Sequence, residues 1–314
     1  MTSRPPGHGA AVATAAFVTF LWSTSWVLIK VGLAADLPPL PFAGLRYAVA
    51  ALCLLPFALA TAERRNFLAT LDRRSWRSLS ALGLLYIAVA QGGQFAALAL
   101  LPASAVSLLL SLTPVVVAFG SGALLSLTPI AVGLGSGALL GERPTPLQAA
   151  GTFVAVSGAA LYFFPTGAAL PSAAGLAAGL VALLSNAGSA LLGRRVNRDT
   201  HLPPLLVTFV SMSIGAAALL GAGVAAQGWP ALGPRELAIV AWLAVVNTAF
   251  AFTLWNRSLR VLTAVESSVL NGLMLPQIAL LAVLFLGESL SGRQVVALVL
   301  AAAGALAVQI RRPG

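Results

Sequence analysis

Polar side chains set inside long apolar runs are where this chain could do chemistry. Gln91 and Gln94 stand three residues apart, on one face if their run is helical. Asn186, Asn247, Asn256 and Asn271 lie in three later runs. Amides donate and accept, which suits a zwitterionic or heterocyclic solute. Their duller role is a hydrogen bond between helices, worth about 0.6 kcal/mol per contact. Arg46 is the one arginine placed within an apolar run away from the basic loops. Guanidinium matches carboxylate bidentately, so Arg46 is a candidate to hold a substrate carboxylate; snorkelling to headgroups is its alternative. Trp22 and Trp26, four apart, would share a face and give an aromatic wall to a cavity, or else pack a core. Ser25 and Tyr86 could add hydroxyls to the same cavity. Glu266 opens its run, where a carboxylate suits the positive helix end. It is the acidic residue to consider for ion coupling. Lys30 reads as an interfacial anchor, and Glu142 and Glu288 as residues that orient loops.

Enzyme chemistry finds little to work with. The histidines are His8 and His201 and the one cysteine is Cys53, so no HExxH or CxxC constellation exists and neither metal nor cofactor is expected. Cys53 has no partner in the chain for a disulfide. The GxxxxGK[ST] phosphate loop is absent, which removes ATP as a direct energy source. Lys30, the sole lysine, is wrongly spaced from Ser23 and Ser25 to activate either as a nucleophile.

The elements that must position these groups follow from composition. The chain is 59% hydrophobic and 8% charged, far from the roughly 25% charged residues of a soluble domain. Ten apolar runs (10–33, 40–62, 78–100, 102–140, 146–164, 172–192, 203–225, 236–256, 263–286 and 294–310) are mostly long enough to cross about 30 Å of hydrocarbon as helices. Of 18 Lys and Arg, all but Lys30, Arg46, Arg235 and Arg293 fall on one side of alternating crossings. The positive-inside bias therefore puts both termini in the cytoplasm. It also accounts for the net charge of +10 without nucleic acid as a partner, because the arginines sit in short loops beside the runs. The expectation is an all-α membrane protein of a bacterial-type inner membrane, with the lipid bilayer and a small-molecule substrate as its partners, as a monomer or homodimer.

Marks recur five spans apart. LPPL opens span two at 37–40 and span seven at 202–205; Gly141-Glu142 follows span four and Gly287-Glu288 span nine; Pro114 and Pro276 interrupt the same two spans. Five is odd, so the second half enters the bilayer from the opposite side, as two inverted five-helix repeats. The divisions expected are a stub at 1–9, repeats at 10–164 and 172–310, a linker at 165–171 and a tail at 311–314. Each internal proline frees a carbonyl four residues back, Leu110 for Pro114 and Gly272 for Pro276. Lipid cannot satisfy such a group. Spans four and nine are accordingly expected to line a central cavity and gate it at Pro114, Pro129 and Pro276.

These residues resemble those of the drug/metabolite transporter superfamily, in its EamA-type branch of ten-helix inner-membrane exporters. The resemblance rests on Leu21-Trp22-Ser23-Thr24-Ser25 with Lys30, and on Pro39-Leu40 followed by Ala43-Gly44-Leu45-Arg46-Tyr47. It extends to Pro102-Ala103-Ser104-Ala105 leading to Ser111-Leu112-Thr113-Pro114, to the Gly-Glu pairs, and to the arginine-rich exit of span six. Ser23 departs from the glycine usual after that tryptophan. The resemblance implies a secondary transporter exporting a small metabolite by alternating access, with aromatic or apolar amino acids as the leading substrates. The cavity is expected among spans one, three, four, six, eight and nine. Efflux of drugs or purine-like compounds is the alternative within transport, and a non-transporting membrane scaffold the alternative outside it.

Residues 111–125 and 126–140 read SLTPVVVAFGSGALL and SLTPIAVGLGSGALL, identical at eleven of fifteen positions. A continuous helix over 102–140 would be about 58 Å long, nearly twice the hydrocarbon thickness. One fifteen-residue copy is therefore surplus, and span four is expected to break near Gly120-Ser121-Gly122 or at Pro129.

Overall fold

The computed structural model describes residues 7–117, 146–163, 172–198, 202–259, 261–262 and 264–309, which are helical with no strand among them. Ten spans result. They are His8–Ala34, Pro39–Ala58, Arg73–Leu100, Ala103–Val117, Pro146–Phe163, Ala173–Arg198, Pro204–Gln227, 234–258, 264–286 and Gly292–Gln309. Seven are long and apolar enough to cross a membrane; the fourth, fifth and tenth are shorter apolar helices. Pro129, Glu142 and the second copy at 126–140 lie outside the described residues, as do Gly120-Ser121-Gly122.

Local chemistry explains the ends. Spans two, seven and eight each begin with proline in the first turn, where its missing N–H has no helical partner to lose. Gly287 closes span nine at φ 67°, a left-handed conformation open to glycine. Span two stops at Ala58, short of the expected 62. Arg64 Nη1 donates to Phe57 O at 2.6 Å and Arg65 Nη1 to Leu59 O at 2.8 Å, capping its last turn. A short helix, Ala62–Ala69, follows, started by Thr61 Oγ1 accepting from Arg64 N. Span one begins at His8, inside the expected stub, where His8 meets Glu266 at 2.8 Å.

The inverted repeat is visible in which helices touch. Span two packs on span seven, and span five on span ten. Span three packs on span six as span eight does on span one, and span four on span six as span nine does on span one. Irregularities repeat too. A π-helical stretch at Leu84–Gln91 in span three recurs at Val245–Phe250 in span eight, 161 residues on. Span four breaks at Leu112 and span nine at Leu273, again 161 apart. Spans five and ten start at Pro146 and Gly292, only 146 apart. The shortfall of fifteen equals one copy of the tandem segment, so the surplus lies between span four and span five.

Close approach of the two halves rests on small residues. A Cβ added at Gly304 of span ten would collide with backbone atoms of Ala155 and Gly151 in span five, and one at Gly151 would meet Ala307 Cβ at 2.8 Å. Without a hydrophobic force between helices in lipid, such backbone contact supplies the packing.

Candidate functional site

The breaks in spans four and nine come from the prolines. In span four Thr113 Oγ1 donates to Leu110 O at 2.7 Å, satisfying the carbonyl that Pro114 frees. The hydroxyl of the neighbouring residue thus makes the kink tolerable in lipid. In span nine the kink sets Gln277, the residue after Pro276, against span one: Ser23 Oγ donates to Gln277 Oε1 at 2.9 Å. Ser23, the departure from the family pattern, therefore forms a link that glycine could not.

A second polar group joins spans two, three and eight. Arg46 is 5% exposed, and its Nε donates to Thr248 Oγ1 at 3.2 Å. Thr248 in turn donates to Leu243 O at 2.8 Å, which orients its lone pairs toward the guanidinium. Beside it Tyr47 OH donates to Gln91 Oε1 at 2.7 Å, while the Arg46 guanidinium carbon lies 5.2 Å from the Tyr47 ring centre. Tyr86 packs against the same cluster. The remaining hydrogen-bonding capacity is considerable. Among the described residues the Nη atoms of Arg46, Nε2 of Gln91 and the whole Gln94 amide have no hydrogen-bond partner. None of these atoms is among the fully buried side-chain atoms without a partner, so they border accessible space and can still offer hydrogen bonds.

Other predicted residues divide between this group and structural roles. Asn247 is fully buried and its amide donates to Leu21 O and, at 3.2 Å, to Thr24 Oγ1, pinning span eight to span one; its Oδ1 has no donor. Trp22 and Trp26 do not form one wall. Trp22 stacks on Phe252 and Trp255 of span eight at 5.3 and 5.1 Å. Trp26 is buried in the main core with Ile29, Phe42 and Phe95. Ser25 Oγ is spent on Trp22 O at 2.6 Å. Asn186 is half-buried, Asn271 is exposed, and the Asn256 side chain is outside the described residues. Glu266 pairs with His8 at the start of span one. Pro114 and Pro276 stand at kinks as expected.

Sequence reasoning assigned Lys30 and Glu288 too little. Lys30 Nζ donates to Leu98 O and Leu101 O at 2.9 and 3.0 Å, so it caps the C-terminal turn of span three instead of reaching headgroups. Glu288 accepts from Ala103 N, Ser104 N and Ser104 Oγ at 2.5, 3.2 and 2.6 Å, capping span four from the end of span nine. Tyr162 OH completes the group, 2.8 Å from Ser104 Oγ. A cation at a helix C-terminus and an anion at an N-terminus are each placed where the helix dipole favours them. Two cavities, of about 370 and 500 Å³, flank Lys30 at this arginine-poor end. Tyr47, Thr248 and Gln277 were also missed. Adjacency to Arg46 and to Pro276 was the available signal for Tyr47 and Gln277.

Comparison with known proteins gives three findings. The family model described as the EamA-like transporter family matches residues 9–126 and 173–309, one block in each repeat. No curated protein matches the chain. Among matching solved structures, a protein crystal structure superposes with a TM-score of 0.59 at 19% identity, over 94% of this chain and 96% of that one; a likeness at that identity speaks for the fold.

Proposed function

This chain belongs to the EamA-like transporter family, and from that premise we propose that it exports a small carboxylate-bearing metabolite, above all aromatic or apolar amino acids. The protein is a multi-pass membrane transporter of small substrates; the substrate class and the direction are our reading. One observation carries it. Arg46 is buried between spans two and eight with both Nη atoms unclaimed, and Gln91 and Gln94 offer amides beside it. A buried guanidinium without a carboxylate partner is costly to keep, and a solute carboxylate bound in fork geometry would offset that cost. The amino group of a zwitterion would find an acceptor in the Gln94 amide.

Transport proceeds by alternating access, in which the kinked spans four and nine move relative to spans one, three and eight. Both termini are cytoplasmic and the membrane is a bacterial-type inner membrane, on the strength of the arginine distribution. Span two, absent from the expected cavity lining, belongs to it through Arg46 and Tyr47.

Counter-flow in proteoliposomes tests this reading with radiolabelled phenylalanine, leucine, a nucleoside and a cationic drug. Arg46→Lys keeps charge but loses the planar fork. It should reduce amino-acid counter-flow about tenfold or more and leave any solute without a carboxylate unaffected. Equal loss for both would assign Arg46 to folding, and transport of the drug or nucleoside alone would overturn the substrate class.

A further inference from the structure

The arginine-rich end holds charge that bears on membrane orientation but is only partly engaged in contacts within the fold. Five arginines lie between 64 and 77, against Glu63 and Asp72. Arg64 and Arg65 are engaged with carbonyls at the end of span two. Asp72 is engaged as well, accepting from Ser75 N at 3.0 Å. Arg73, Arg74 and Arg77 are left over. All three are exposed, and among the described residues none has an ion-pair or side-chain hydrogen-bond partner.

Their setting is rigid and oriented. The spacing puts Arg77 on a face with both Arg73 and Arg74. Trp76, 41% exposed, lies three residues from Arg73, at the edge of that face. The opposite face is anchored: Leu79 is buried against Val196, Val207 and Val210, with Leu68 and Leu71 alongside. Arg73 and Arg74 occupy the first turn of span three and Arg77 opens the second, near the positive end of its dipole, where like charge is disfavoured. An anion from outside the protein would relieve both repulsions. An exposed tryptophan near the end of an apolar span favours the interfacial layer of a bilayer, which selects a lipid over a soluble anion.

We propose that Arg73, Arg74 and Arg77, with Trp76, form a docking surface for the phosphodiester headgroup of an anionic phospholipid. Three arginines near an anionic headgroup, at about fivefold each, give a preference on the order of a hundredfold over a zwitterionic lipid. The patch is separate from the Arg46 group, so the inference stands or falls independently of what is transported.

The test uses the full chain in neutral detergent micelles carrying phosphatidylglycerol or phosphatidylcholine, with retained lipid measured by native mass spectrometry. The wild type should retain phosphatidylglycerol at least tenfold over phosphatidylcholine, and 1 M salt should abolish the difference because screening then acts within about 3 Å. Arg73→Gln, Arg74→Gln and Arg77→Gln together should erase the preference, whereas Arg257→Gln, at another exposed arginine, should leave it within twofold. Should the triple variant fail to fold, Arg77→Gln alone should lower the preference several-fold. Equal retention of the two lipids, an unchanged preference in the variants, or displacement of phosphatidylglycerol by 10 mM inorganic phosphate would overturn the proposal.

Discussion

Replacing Glu288 by glutamine should loosen the arginine-poor end of the molecule by a calculable amount. The carboxylate accepts three hydrogen bonds from Ala103 and Ser104, and the N-cap residue of span four, Pro102, has no side-chain hydrogen bond of its own to supply. Glutamine keeps the shape but presents one acceptor oxygen where two stood, and sets an N–H₂ against N–H donors. Losing an N-cap costs about 1 kcal/mol, and losing an anion at a helix N-terminus adds roughly 0.3–1 kcal/mol. Water from the cavity of about 370 Å³ lined by Lys30, Pro102 and Glu288 can reach the site and offset part of this. A net cost of about 1.5 kcal/mol corresponds to roughly tenfold in any equilibrium that makes the contact on one side only. The contact joins span nine to span four, so the affected equilibrium is opening of this end. In a Cys53→Ala background, Ala105→Cys is a buried reporter, 2% exposed in span four. A membrane-impermeant maleimide applied from outside should label it about tenfold faster with Glu288→Gln than without. Unchanged labelling with a lowered thermal midpoint would make Glu288 a static cap and refute the opening argument.

Further expectations follow from packing, titration and the tandem segment. Gly304→Ala should cost about 2 kcal/mol, since its Cβ has no room against span five. Gly221→Ala, where nothing lies within 4 Å, should leave the thermal midpoint unchanged. Hydrogen bonds from Ser75 hold the Asp72 carboxyl below its usual value of 3.8. A lowered folded-state pKa gives stability that is present above 3.8 and lost as pH falls through the folded value. Asp72→Ala should therefore lower the thermal midpoint at pH 7, and its gap from the wild type should close in acid. Deleting 111–125 should preserve insertion and counter-flow, because the second copy takes the place of the first and the spacing between matching elements becomes 146 residues throughout. A deletion variant that inserts but transports nothing would make the extra copy part of the mechanism.

The spans were legible because hydrocarbon thickness and loop charge act on composition, which the sequence states outright. Arg46, Gln91 and Gln94 were legible for the same reason: polar groups are rare at that depth and stand out. Which of them meet was not. A helix that is apolar all round gives no periodic signal for its inward face. Trp22 and Trp26 were thus placed on one face by spacing alone, and entered separate clusters. Spacing along a regular helix likewise gave no warning of the π-helical stretches that contain Tyr86, Gln91 and Asn247.

Sequence by itself determined that this chain carries about ten apolar helical runs in two inverted halves, with an arginine-rich end and a fifteen-residue surplus in the span-four region. Those properties are sums over local composition and order, and no partner is needed to read them. Tertiary structure alone decided that Ser23 reaches Gln277, that Tyr47 reaches Gln91, and that Glu288 caps a helix 184 residues away in sequence. Hydrogen bonds of a few ångströms depend on which faces the packing of small residues brings together, and that choice is written across several helices at once.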